Sequence, residues 1–309
     1  MPRFSVISGT FNERENVDEF VTRIAAMFTS LGEADYELII IDNASTDGTP
    51  ERLRSLAAKD PRIKVILNTR NFGHIRSPFH ALLQTSGEAV ICMASDLQDP
   101  PEMIPALIEK WRAGAKAVVC VKQSEDGAPL FALIRRTYYR IVHALADTAI
   151  IENFTGFGLY DRAVVDYCRN ADDPYPYFRG MISEIGFPVE QIPYQKPGRK
   201  RGVTKNNFYT LYDLAMLGIT NHSKVPLRLA TMVGFAMSLL SLIVGLVYLL
   251  YKLFFWQSFP LGMAPVVIGL FLFCSVQLFF IGILGEYIGA IHTHVAKRPL
   301  VVEKERINF

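Results

Sequence analysis

"VICMASDLQDPPEM", residues 90–103, is the stretch on which the fold turns. An apolar run from Ala89 to Ala94 stops at Ser95-Asp96, and Gln98, Asp99, Pro100 and Pro101 follow at once. A short apolar run bounded by turn residues reads as a strand buried on both faces. Its far end delivers two carboxylates and an amide to a turn stiffened by proline, which fixes its own φ and restricts the residue before it. Hard divalent cations take oxygen donors and share them with phosphates. Asp96 and Gln98 are therefore candidate ligands for Mg2+ or Mn2+, with Asp99 a further oxygen close by. Ala94 stands where a second acid would complete an Asp-x-Asp pair. In isolation the same residues also read as a solvated strand-to-helix loop.

Working outward, Phe4–Ser8, Glu37–Asp42, Lys64–Asn68, Ala89–Ser95 and Ala117–Lys122 are short, rich in Val and Ile, and lack strict alternation. Between them lie amphipathic helical patterns at Asn16–Ser30, Thr49–Lys59, Pro78–Ser86 and Glu102–Ala113. Strand and helix in alternation predict an open, doubly wound, mostly parallel α/β sheet. Ligands of such sheets bind outside the carboxyl ends of the strands. Polar residues gather at four of those ends: Asn12-Glu13, Asp42-Asn43, Arg70-Asn71, and Asp96 with Gln98. No G-x-G-x-x-G and no G-x-x-x-x-G-K-[ST] occurs, so a nucleotide here is held by side chains and a metal instead of a glycine-rich cradle.

The chain has 309 residues, half of them hydrophobic, and a formal net charge of +2, which argues against a nucleic-acid binder. Its four cysteines are scattered and read as reduced thiols without a metal cage. The N-terminus meets acids before any useful apolar core and is not read as a signal peptide. Residues 229–251 and 262–285 carry no charge. About 20 apolar residues cross a bilayer as a helix, so both are candidate spans. Arg228 and Lys252 bracket the first span, and Lys297, Arg298, Lys304 and Arg306 in the tail, with an N-terminal domain rich in Lys and Arg, put both termini in the cytosol by the positive-inside rule. Residues 128–147 have an apolar face flanked by Arg135, Arg136 and Arg140; this pattern reads as a helix lying in the headgroups or as a surface helix packed on the sheet.

The sequence resembles the polyprenyl-phosphate glycosyltransferases of glycosyltransferase family 2, the branch that includes dolichyl-phosphate mannose synthase and the bacterial undecaprenyl-phosphate glucosyltransferases. The resemblance runs through "TFNERENV", "IIIDNASTDGT", "TRNFG", "MASDLQDPPEMI", "GFGLYDRAVVD", "YFRGMISEIGF", "GRKRGVTK", "KVPLRLA" and "GILGEYIGAI" with "KRPL". It implies a GT-A catalytic domain over residues 1–203, an interfacial amphipathic helix over 204–227, two transmembrane helices over 228–290 and a cytosolic tail over 291–309. It also implies a multi-pass protein of a bacterial inner membrane and a homo-oligomer. By match, Asp42 resembles the acid that reads the nucleobase, Thr10, Asn12 and Glu13 line the nucleotide pocket, and Arg70 neighbours the donor. Asp96 and Gln98 look like the metal ligands, and Arg199, Thr204 and Lys205 look like a phosphate-gripping loop, with Arg179 a further donor contact. Asp96, Arg199 and Lys205 would carry the catalysis.

The implied reaction moves a sugar from a nucleotide donor, UDP-linked by expectation, to a polyprenyl phosphate, with inversion and with Mg2+ or Mn2+. A lipid phosphate has a second pKa near 6 and is already an anionic nucleophile at neutral pH, so no strong general base is needed. Several positions depart from the common pattern: Gly9 for a proline, Asn43-Ala44 for Asp-Gly, Ala94 for an acid, and Thr155–Gly158 for an Asp-Phe-Arg run. Two alternatives stay open: a non-catalytic membrane assembly subunit, and a transferase with another acceptor.

Overall fold

The computed structural model describes residues 2–123, 151, 153–195, 197, 216, 225–255 and 263–309. Among these, eight strands form one sheet: β1 (Phe4–Thr10), β2 (Tyr36–Asp42), β3 (Ile63–Asn68), β4 (Ala89–Cys92), β5 (Ala117–Lys122), β6 (Phe154–Asp161), β7 (Val189–Tyr194) and β8 (Glu303–Ile307). Their order is β7-β5-β6-β4-β1-β2-β3-β8. The central strands β4, β1, β2 and β3 are parallel, as short Ile- and Val-rich strands buried on both faces should be. β6 runs antiparallel between β4 and β5, β7 is parallel to β5, and β8 closes the far edge antiparallel to β3. The chain leaves β1 for β2 on one side and reaches β4 on the other, which makes the β1/β4 boundary the switch point where such sheets open a crevice.

Among the described residues six helices flank the sheet: α1 (Val17–Ser30), α2 (Thr49–Ala57), α3 (Gly73–Leu83), α4 (Ile104–Arg112), α5 (Arg162–Ala171) and α6 (Phe178–Glu184). α1, α2 and α4 pack on one face, and α3, α5 and α6 on the other. Val17, Phe20, Ile24 and Phe28 recur at helical spacing in α1 and are all buried, with Phe28 stacked on Tyr36 at 4.2 Å. Burying each such side chain stabilises the fold by about 1.5–3 kcal/mol. Asp161 caps α5 by accepting the Ala163 N–H at 3.1 Å and also takes the Trp111 indole N–H at 2.8 Å, which joins α4 to the end of β6.

At the strand starts, opposite the candidate site, the buried Glu37 carboxylate accepts from Ser5 Oγ (2.6 Å), Ser86 N (2.8 Å) and Lys64 Nζ (2.6 Å). Burial pushes its pKa up, but these partners outweigh burial and hold it below the usual carboxylate value. β6 needs Gly158 because a Cβ there would collide with the Val118 carbonyl oxygen of β5.

Two more helices, α7 (Val225–Phe254) and α8 (Met263–Ala296), contain stretches of mean hydropathy 2.2 and 1.8 that are long and apolar enough to cross a membrane, with side chains largely exposed. α8 continues beyond the span expected from sequence and meets the sheet domain. Tyr287 is buried, His294 Nδ1 lies 3.7 Å from Asp173, and Lys297 Nζ lies 3.8 Å from Asp172.

The structure differs from the sequence reading in three places. α3 begins at Gly73, five residues before the expected start, with Pro78 inside it. β6 and β7 were not among the five expected strands, and β6 pairs antiparallel to its neighbours. The segment expected as a tail, 291–309, finishes α8 and then supplies β8, an edge strand of the sheet. "EKERI" has no apolar run to announce a strand; its charges suit an edge, where they keep other chains from pairing. The amphipathic stretch 128–147 lies outside the described residues.

Candidate functional site

The carboxyl ends of β1 and β2 are knitted together by side chains that satisfy each other's loop. Asp42, fully buried, accepts from Thr10 Oγ1 (3.1 Å), Ser45 N (2.9 Å) and Ser45 Oγ. Burial raises its pKa above the usual value; the Ser45 and Thr10 bonds oppose that, and the nearby Asp47 adds to it. Asn12 adopts a left-handed backbone, φ 58, at modest cost because Asn bonds locally there. Its N–H donates to Ser45 Oγ (2.8 Å) and its Oδ1 accepts the Thr46 N–H (2.8 Å). The Glu13 N–H donates to Thr49 Oγ1 (3.1 Å), and Glu13 Oε2 accepts from Asn16 Nδ2 (2.6 Å). Thr10, Asn12, Glu13 and Asp42 are thus brought to one wall.

Asn43 extends that wall to β3. Its Oδ1 accepts from Asn68 Nδ2 (3.1 Å) and the Phe72 N–H (3.3 Å), and its Nδ2 donates to the Gly73 carbonyl (3.2 Å). An aspartate could not make that last donation, which accounts for the amide at this position. Arg70 is exposed beyond β3, its guanidinium 4.0 Å from the Phe72 ring and donating to the Asn71 carbonyl (3.2 Å).

The turn after β4 closes on itself. Asp96 Oδ1 accepts the Gln98 N–H at 3.1 Å, and the buried Leu97 between them takes φ 62. Asp99 turns inward: Oδ2 accepts the Ala94 N–H (2.9 Å) and Oδ1 accepts the Tyr194 hydroxyl (3.1 Å). As a spare metal oxygen Asp99 is therefore corrected to a buried staple between the β4 turn and β7. The carboxylate of Asp96 is half-buried at the turn. Gln98 Nε2 donates to the Pro197 carbonyl at 3.5 Å, two residues before Arg199 in the sequence. Arg199, Thr204 and Lys205 lie outside the described residues.

Among the described residues no three His, Cys, Asp or Glu side chains cluster as a metal cage. One carboxylate and one amide oxygen make a partial donor set. That set fits Mg2+ or Mn2+, which are held by one or two protein oxygens with substrate phosphates and water completing the shell, and does not fit a structural zinc.

A cavity of about 340 Å³ opens beside this turn, at the β1/β4 switch point. The ends of β1 and β4 (Ile7–Gly9 and Cys92–Ala94), Asp99, one side of α3 from His74 to Leu82, Thr155–Phe157 and Pro176–Arg179 line it. Gly9 is required here because a Cβ would stand 2.9 Å from Pro78 Cγ. Arg179, on α6, lines the cavity and donates to the Phe154 carbonyl at 3.3 Å. His74 sits at the mouth; loss of solvation and the charge of Arg179 hold its pKa below the usual histidine value. Nothing in the sequence around His74 or Tyr194 announces a place beside the site. A lone histidine and a strand-end tyrosine carry no signal until the fold sets them against Arg179 and Asp99. The run of turn formers from Asn43 to Gly48 did carry one.

A sheet with a switch-point crevice, an acid at the end of β2 and an acid-amide turn after β4 gathers its polar chemistry where open α/β sheets take their ligands. The family model of glycosyl transferase family 2 matches residues 5–167. The chain is 33% identical over 98% of each chain to the SfII prophage-derived bactoprenol glucosyl transferase of Shigella flexneri. It is 32% identical to the uncharacterized glycosyltransferase YkcC of Bacillus subtilis, over 97% of this chain and 93% of that one. Among solved structures, glucosyl-3-phosphoglycerate synthase of Mycobacterium tuberculosis with Mn2+ and UDP-glucose aligns with TM-score 0.51 at 17% identity, over 71% of this chain and 77% of that one. The chain belongs to glycosyl transferase family 2, and its mostly parallel sheet has the GT-A fold.

Proposed function

We propose that this glycosyltransferase moves a sugar from a UDP-linked donor to a polyprenyl phosphate at a membrane surface, inverting the anomeric carbon and requiring Mg2+ or Mn2+. The observation that carries the reading is the full-length likeness to a bactoprenol glucosyl transferase, which extends past the family domain and across both apolar helices. Asp42, Thr10, Asn12 and Glu13 hold the nucleoside; Arg70 and Arg179 flank the donor. Asp96 and Gln98 face the diphosphate, and a divalent ion bound there would offset the charge of the leaving group. Arg199, Thr204 and Lys205 grip the acceptor phosphate, as a basic segment beside a membrane favours. The lipid phosphate oxygen attacks the anomeric carbon in line, the bond from that carbon to the diphosphate oxygen breaks, and the nucleoside diphosphate leaves with the electron pair. The layout in the membrane is a cytosolic catalytic domain and both termini on the cytosolic side of a bacterial inner membrane.

The test uses purified full-length protein in detergent with polyprenyl phosphate and a panel of radiolabelled UDP- and GDP-sugars. Lipid-linked sugar forms with Mn2+ or Mg2+ and disappears with chelator. Asp96→Ala lowers the rate more than about a hundredfold, as loss of several kcal/mol of charge stabilisation demands. An Asp96→Ala enzyme as fast as the parent would remove the metal assignment. No lipid-linked product from any donor would sink the reading.

A further inference from the structure

We propose that Tyr194 is a positioning residue for the divalent cation: acting through Asp99, it holds the Asp96–Gln98 turn in the form that binds the ion. This rests on the transferase reading above and adds a residue to its machinery. Three observations carry it.

The first is the path of the bonds. The Tyr194 hydroxyl donates to Asp99 Oδ1 (3.1 Å), and Asp99 Oδ2 accepts the Ala94 N–H (2.9 Å). The Asp99 carboxylate therefore closes the turn from residue 94 to residue 99, with Asp96 and Gln98 inside the loop. Tyr194 and Asp99 are both buried, where a hydroxyl-to-carboxylate bond is strong and its loss is felt. The second is the backbone that this clasp holds. Leu97, between the two proposed ligands, is left-handed at φ 62. A leucine leaves that conformation unless its surroundings impose it. The third is the far end of the link. Tyr194 closes β7, three residues before Pro197, and the Pro197 carbonyl accepts from Gln98 Nε2 at 3.5 Å. That bond commits the nitrogen end of the amide and turns the oxygen end toward a cation. With Ala94 in place of a second acid, the site has one carboxylate and depends the more on how well its donors are held.

The experiment measures Mn2+ bound to the full-length protein in detergent with UDP present, by electron paramagnetic resonance. Tyr194→Phe keeps the ring against Phe157 (5.5 Å between centroids) and removes the hydroxyl. It weakens Mn2+ binding about tenfold or more, the scale on which residues that orient metal ligands act, while UDP affinity without metal stays at the parent value. Asp99→Ala weakens Mn2+ binding by a similar factor, and the double variant is no weaker than Asp99→Ala alone, because the hydroxyl acts through that carboxylate. Asp99→Asn restores most of the affinity: its amide oxygen still accepts the Ala94 N–H, and its NH2 meets the tyrosine oxygen. Trp111→Phe removes a hydrogen bond to Asp161, which pairs with the start of β4 at the opposite end of the sheet, and leaves Mn2+ binding unchanged. Melting curves show which variants fold. A folded Tyr194→Phe protein that binds Mn2+ as tightly as the parent overturns the assignment. Where that variant does not fold, an Asp99→Asn protein as weak as Asp99→Ala overturns it, since the carboxylate would then be a ligand itself. A parent that binds no Mn2+ with UDP present overturns the metal reading instead, so the two failures are distinguishable.

Discussion

Burial of a carboxylate as deep as Asp42 raises its pKa above the usual value, while its place at the end of β2 makes it the proposed contact to the nucleoside. Its folded-state pKa lies above the unfolded value, so the folded chain holds that proton to a higher pH. The associated stability is fully present below the unfolded pKa and is lost as pH rises through the folded pKa; at neutral pH the ionised group is a cost. Asp42→Asn keeps the shape and removes that charge, but sets an amide donor against the donors of Ser45 and Thr10. These effects offset, and the expected change in stability at neutral pH is under about 1 kcal/mol. UDP affinity falls about tenfold with the charge-assisted bond. Calorimetry with UDP and melting curves check both, and the stability difference shifts toward the parent as pH falls. At this scale the sequence marked Asp42, Asp96 and Gln98, because charged or amide side chains at strand ends are expensive unless used. It did not distinguish Asp99 from Asp96. Which of two acids three residues apart turns inward depends on Tyr194, nearly a hundred residues later and delivered by β7.

At the scale of elements, β8 is the piece that sequence pattern concealed. Its ladder on β3 is backed by Arg54 on Glu305 (2.8 Å), His80 on Glu303 (2.6 Å), and Asn308 donating to the Ala57 and Ile63 carbonyls (2.8 Å each). Thr69 bonds the Val302 carbonyl from both its N–H (2.9 Å) and its hydroxyl (3.1 Å), and Val301 is buried. Deleting 301–309 removes a strand and opens the edge of β3. The expected result is a fall in melting temperature of roughly 10 °C, the equivalent of several kcal/mol, together with aggregation through the bared edge. Glu305→Ala removes only a solvent-screened ion pair and should leave the melting temperature close to the parent's. A truncated chain that melts with the parent would reduce β8 to decoration. Pro78 is instructive in the same way: proline near a helix start is common, so the reading began α3 there, whereas the ring occupies the space left by Gly9 across the β1 end.

For the whole molecule, the charge-free stretches and the sheet are joined through α8, which passes from an apolar segment into Asp172, Asp173 and finally β8. A protein held only by a basic face would leave membranes in high salt, because surface electrostatics are screened within about a Debye length. This chain should remain with the membrane fraction in high salt and in alkaline carbonate, and be released by detergent. Release by salt alone would contradict two spanning helices. The segment that links α8 to β8 is tied at Val302 to Thr69, the residue before Arg70.

The amino-acid order by itself determined the layered α/β class, the strand ends where polar chemistry collects and the two apolar spans, because hydrophobic period and run length are local quantities written in consecutive residues. Only the tertiary structure decided that Asp99 is internal, that the final residues complete the sheet, and that His74, Ala94 and Arg179 share one cavity. Those facts depend on contacts between segments far apart in the chain, and they exist once the strands have taken their order in the sheet.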